Sequence, residues 1–210
     1  MGDKMFDMNW PKKGDKAFIC ENAFSSSACA YLDWLKYRGS DYISMSFKEA
    51  ADIIINNLET GKLDSHADIF FFPICYLYRH VIELELKAIM ELGARLDILS
   101  DDDEYKKLQG SHSLNQLWNI AEAVLKDFYA DEPSDDLIAA GSLIQQFHAL
   151  DKTGQNFRYG KTKTGKSTLQ NVPKIVDLVN LRKMFDGLYN LLTASQDGMS
   201  EALSNMESNY

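Results

Sequence analysis

The chain has 210 residues, a formal net charge of −9, 45% hydrophobic residues and 25% charged ones. That length suffices for one well-filled core, and the balance is that of a globular protein in water rather than of a disordered chain. The acidic excess excludes a surface that attracts nucleic acid or anionic lipid as a whole, though not a local basic patch. Cys20, Cys29 and Cys75 show no CxxC spacing and are odd in number, so they support neither a disulfide framework nor a zinc site. The N-terminal stretch MGDKMFDMNWPKKGDKAF lacks an apolar signal core. The longest apolar run is broken by Arg79 and His80 before it reaches the ~18 residues of a membrane span. These features imply no membrane partner and a reducing cytoplasm.

Taken in order, residues 1–24 read as an irregular arm, and Ser25 to Ser27 can cap a short helix through Leu35 or Tyr37. Ser46 with Glu49 forms a capping box ahead of the stripe Phe47, Ala50, Ala51, Ile54, Ile55 and Leu58, with Gly61 as the C-cap. Asp68 is an N-cap candidate for the next helix, in which Pro73 predicts a kink or a later start. Asp97 to Glu104 reads as a solvated acidic loop without the ligand spacing of a calcium loop. Ser113 and Gln116 make a second capping box before Leu117, Trp118, Ala121, Val124 and Leu125. Ser134 opens a helix ending near Asp151, and Asp177 or Asn180 opens a last one carrying Leu181, Phe185, Leu188 and Leu192. The fold class expected is all-α: an up-and-down bundle of five to six helices over residues 25–197, an irregular loop over 152–174, and a tail over 198–210 that frays.

The helix over Asp68 to Gly93 is apolar nearly all round, which marks it as central and buried. It nevertheless carries Arg79, Glu83 and Lys87 at i, i+4 and i+8, with His80 at i−3 from Glu83. Desolvating such charges costs several kcal/mol each unless they are paired, so they form either a closed ion-pair network or a site. The polar residues available to meet them are His112, His148, Asp151, Arg158 and Tyr159. His148 near a helix C-terminus is expected to favour its protonated form. His80 with Glu83 is like half of a di-metal carboxylate site, but no second such pair stands on another helix. No metal and no cofactor are therefore expected.

Gly160 to Ser167 (GKTKTGKS) matches the phosphate-loop string GxxxxGK[ST]. Such a loop works because a buried strand delivers it and a helix N-terminus follows it. Here the flanks are the polar Gln155 to Tyr159 and a segment that meets Pro173, so no nucleotide cofactor is expected. What remains is a basic cluster of Arg158, Lys161, Lys163 and Lys166 beside Tyr159, suited to phosphate or RNA contact.

The segments FFPICYLYRHVIELELKAIM, HSLNQLW (His112 to Trp118), FRYG (Phe157 to Gly160) and VDLVNLRKMFDGLYNLL together resemble bacterial, phage and plasmid-borne helical proteins of the HEPN superfamily. The resemblance covers roughly residues 45 to 195. It implies a helical bundle that dimerises or joins a partner protein. Its function would be either a binding or regulatory module in RNA-related or phage-defence and toxin-type systems, or a metal-independent endoribonuclease. Catalytic members carry an arginine and a histidine on one helix with four to six residues between them, and no arginine stands at that spacing before His66, His80, His112 or His148. Catalysis would then need Arg158 or Arg79 to meet His112 in space, within a candidate set that also holds His80 and Glu83, with histidine as general acid or base and arginine on the phosphorane charge.

Overall fold

Six helices, and no strand beyond one isolated bridge, make up the described residues in a computed structural model of the chain: α1 (Ser40–Glu59), α2 (Ala67–Arg95), α3 (Asp103–Gln109), α4 (Leu114–Tyr129), α5 (Asp135–Leu150) and α6 (Leu178–Glu207). The residues described are 40–63, 67–100, 103–129, 135–159 and 172–208, together with 11–13, 16, 30, 161, 165, 167 and 168. The all-α bundle expected from periodicity is the fold. None of these helices is long and apolar enough to cross a membrane.

The chain divides into two units, Met1–Tyr37 and Arg38–Tyr210. The helix expected over Ser25 to Tyr37 and most of the 1–24 arm lie outside the described residues. The bundle instead gains its sixth helix from α3, which starts at the end of the stretch read as a solvated acidic loop and runs beyond it to Gln109.

Helix α2 is the hub, packed against α1, α4 and α6, as its all-round apolar pattern requires. Ile74, Tyr78, Ile82, Leu86 and Ile89 are each no more than 1% exposed. Full burial of one such side chain stabilises by about 1.5–3 kcal/mol. Tyr78 stacks on Phe185 of α6 at 3.9 Å between ring centroids. Pro73 does not delay the helix, which already runs from Ala67. Its ring leaves the Ile69 carbonyl without an intrahelical donor, and Ile69 is 64% exposed, so water can serve instead.

Helix ends follow local chemistry in part. Asp177 caps α6 by accepting from the backbone N–H of Val179 and Asn180. Gly61, at φ +68, closes α1: Lys62 N–H reaches the Asn57 carbonyl at 2.9 Å and Gly61 N–H the Leu58 carbonyl at 3.2 Å. The Ser46–Glu49 capping box, however, lies within α1, which begins at Ser40; the Ser46 hydroxyl donates back to the Ile43 carbonyl. The tail expected to fray after Gly198 is helical to Glu207. Met199 and Leu203 continue the buried stripe there, and Gly198 makes room for the Tyr129 hydroxyl, which lies 3.2 Å from where a Cβ would stand.

Candidate functional site

Arg79 projects from the middle of α2 and is 3% exposed. Its Nη1 donates to Glu83 Oε2 at 3.1 Å, its Nε to the Asp151 carbonyl at 3.2 Å, and its Nη2 to the His112 carbonyl. Helical spacing places Glu83 and Lys87 on the same side one and two turns on. Glu83 Oε1 receives Lys87 Nζ at 3.0 Å and lies 2.7 Å from His112 Nδ1. One guanidinium and one carboxylate thus tie α2 to the turn before α4 and to the end of α5.

The far side of the network is Asp151, fully buried where α5 gives way to the long loop. Its Oδ1 accepts from the backbone N–H of Gln155 at 2.9 Å and of Thr153 at 3.3 Å, shaping the first turn of that loop. Its Oδ2 lies 3.5 Å from Arg79 Nε, close enough for charge attraction but without a hydrogen bond. Gly154 then passes directly against the guanidinium, at φ +75. Burial pushes the Glu83 carboxyl pKa upward, yet hydrogen bonds from Lys87, His112 and Arg79 overcome it and hold the group below the ordinary carboxylate range.

An open rim borders this closed interior. The His112 side chain is 67% exposed although its Nδ1 is engaged by Glu83. His80, half-buried, lies edge-on to Phe47 at 4.8 Å and parallel to Tyr76 at 6.1 Å. The Arg158 guanidinium sits 5.7 Å from the Tyr76 ring centre and 5.8 Å from that of Tyr159. Its Nε donates to the Gly154 carbonyl at 2.9 Å, so the loop that touches Arg79 also sets Arg158. Tyr159 is 58% exposed.

Of the residues expected at a site, Arg79, Glu83, Lys87 and His112 come together, while His80 and Arg158 lie at the rim with Tyr76 between them. Lys161 is exposed and its backbone pairs with Ser167 in an antiparallel bridge. Lys163 and Lys166 lie outside the described residues. Among the described residues that follow Ser167, the first helix begins at Leu178, so the GKTKTGKS string does not lead into a helix N-terminus as a phosphate loop must.

A second buried polar cluster was not anticipated. Glu85, 2% exposed, accepts from the Ser44 hydroxyl and from Gln196 Nε2, which also reaches the Glu85 carbonyl at 3.3 Å. Position 85 continues the core stripe Tyr78, Val81, Ile82 and Ile89, and a carboxylate in that register is the signal that identifies it. A third cluster joins Lys48 to Asp52 and Asp186, each at 2.6 Å, while the Tyr78 hydroxyl donates to Asp52. Among the described residues no three metal-ligating side chains converge.

The histidines give the fold an acid sensitivity. His148 does not favour protonation as its helix-end position suggests: burial lowers its pKa, helped by Lys152 and Arg79. Burial likewise lowers that of His80, with Arg79, Lys87 and His112 adding to it against the pull of Glu83. Below the ordinary histidine value of 6.5 the unfolded chain binds protons that these folded rings refuse. Stability should therefore be full above 6.5 and decline as pH falls toward the lower folded values. The Glu83 contribution is full above 4.5 and is lost at still lower pH. Urea midpoints should be level between about pH 8 and 7 and lower at about pH 5, with a smaller drop in a His80→Gln/His148→Gln variant. A midpoint that rises on acidification would contradict the assignment.

No protein-family model matches the chain, and comparisons with curated proteins and with solved structures gave no match.

Proposed function

We propose that this chain is a non-catalytic binding or regulatory module of HEPN-like character that holds single-stranded RNA through the exposed side chains of His112, Arg158, Tyr159 and Lys161. It would act with a second copy or a partner protein in a phage-defence or toxin-type setting, as the resemblance implies. The observation that carries the reading is the burial of Arg79. Its guanidinium is 3% exposed and is spent on Glu83, the Asp151 carbonyl and the His112 carbonyl, so it cannot reach a phosphate. The exposed cation–aromatic pair Arg158–Tyr159 offers instead a stacking platform and a positive charge, the combination single-stranded nucleic acid uses.

A second reading rests on one feature. Glu83 engages His112 Nδ1, which leaves Nε2 of an exposed ring free, and a carboxylate in that place orients a histidine for general base work. A metal-independent endoribonuclease would pair that histidine with Arg158 in stabilising the phosphorane.

One titration separates the readings. A labelled single-stranded oligoribonucleotide should bind with an affinity that falls as salt rises. Arg158→Ala or Tyr159→Ala should each weaken it about tenfold, the RNA staying intact. Binding unaffected by both substitutions would sink the first reading. Cleavage that His112→Ala abolishes would establish the second.

A further inference from the structure

Between α2, α5 and α6 lies a cavity of about 240 Å³ that takes no part in the charged network. Phe71, Cys75, Leu143, Phe147, Met184 and Phe185 form its walls, with the stretch from Pro173 to Asp177 across its mouth. Ile175, part of that stretch, is 91% exposed, so the opening faces solvent. The polar side chains at the edge are Gln146, Asn180 and Asp177, and the Asp177 carboxylate is already engaged in capping α6.

We infer that this cavity is a binding site for a small, neutral, largely apolar molecule with one hydrogen-bonding group. Three features select that class and go beyond the reading of the rim. An apolar cavity of 150 Å³ holds benzene, so one of this size accommodates about ten non-hydrogen atoms. Among the described residues no cationic side chain lines it, which disfavours an anion, and the aromatic walls cannot solvate a charged head. Two amides, Gln146 and Asn180, are among the lining residues; the Gln146 Nε2 has a long bond to the Ser142 carbonyl at 3.4 Å, so its oxygen and the Asn180 amide are the groups offered to a polar atom, as in ligand pockets that are apolar except for a few polar atoms. Cys75, 2% exposed, reports on occupancy from within the wall.

Indole is a suitable probe, with free tryptophan as the control that carries the same ring on a charged head. Indole at about ten times its dissociation constant leaves roughly one-tenth of sites empty, so alkylation of Cys75, read by peptide mass spectrometry, should slow about tenfold. The melting temperature should rise by a few degrees, and tryptophan should do neither. Leu143→Trp should fill the space: indole then has no effect, and the variant melts at or above the wild-type temperature. If that variant does not fold, Cys75 protection in the wild-type chain decides the matter. Indole without effect on Tm and on Cys75 overturns the inference. Equal effects of tryptophan, or indole binding retained in Leu143→Trp, overturn it as well.

Discussion

Glu83→Ala is expected to destabilise the fold by about 3–5 kcal/mol, the range for removing one partner of a buried ion pair. For a chain of this length that corresponds to a fall in melting temperature on the order of 10 °C. Three donors converge on this carboxylate: Arg79, Lys87 and His112. Arg79 is the one that cannot relax. It is 3% exposed, and its remaining carboxylate, Asp151 Oδ2, is 3.5 Å away without a hydrogen bond. Lys87 and His112 retain access to water, so their share of the loss is smaller. That the Glu83 pKa is held low despite burial says the folded state favours its charged form, which is the condition for a large loss. Glu207→Ala provides the contrast: its pair with Arg95 is 3.5 Å long and more than half exposed on both sides, so it should cost under about 1 kcal/mol. A Glu83→Ala melting point within a degree of wild type would show that the cluster does not hold the fold.

How much of this could be read in the chain follows from where the information lies. The i, i+4, i+8 placement of Arg79, Glu83 and Lys87 is local, and local spacing fixes which side chains share a helix face. Asp177 as a cap and Gly61 as a terminator are local for the same reason. The partners of Arg79 are not local. The carbonyls of His112 and Asp151 belong to any residue type, so no letter in the sequence marks them, and only the tertiary fold brings them to the guanidinium. Helix boundaries failed where packing outweighed local signals. Ser46 looks like a cap but sits within α1, because Ser44 is carried into the core to meet Glu85 and draws the helix back to Ser40. Gly198 looks like a terminator, but the Met199 and Leu203 stripe holds the helix beyond it. Glu85 was detectable in principle, as a carboxylate in an apolar register, and was overshadowed by the more conspicuous charges on the neighbouring face.

Gly154→Val is expected to cost about 2–5 kcal/mol, from two separable sources. The first is backbone: at φ +75 an L side chain is strained, and a β-branched one most of all. The second is contact. A Cβ at this position would lie 3.0 Å from Arg79 Nη1 and 3.2 Å from its Cζ, so the guanidinium must shift from the acceptors that hold it. Gly61→Val isolates the first source, since Gly61 has a similar φ of +68 and nothing within 4 Å of its Cβ position. That variant should lose only the backbone share of about 1–2 kcal/mol. Equal losses in the two variants would mean that the guanidinium moves aside freely and that the network is not rigid. The same pair bears on function, because the Gly154 carbonyl receives Arg158 Nε and so places the exposed cation of the rim. If the rim holds RNA, Gly154→Val should weaken binding at temperatures where the chain is still folded, while Gly61→Val leaves it unchanged. A folded Gly154→Val chain with undiminished RNA affinity would show that Arg158 finds its place independently of the buried charges.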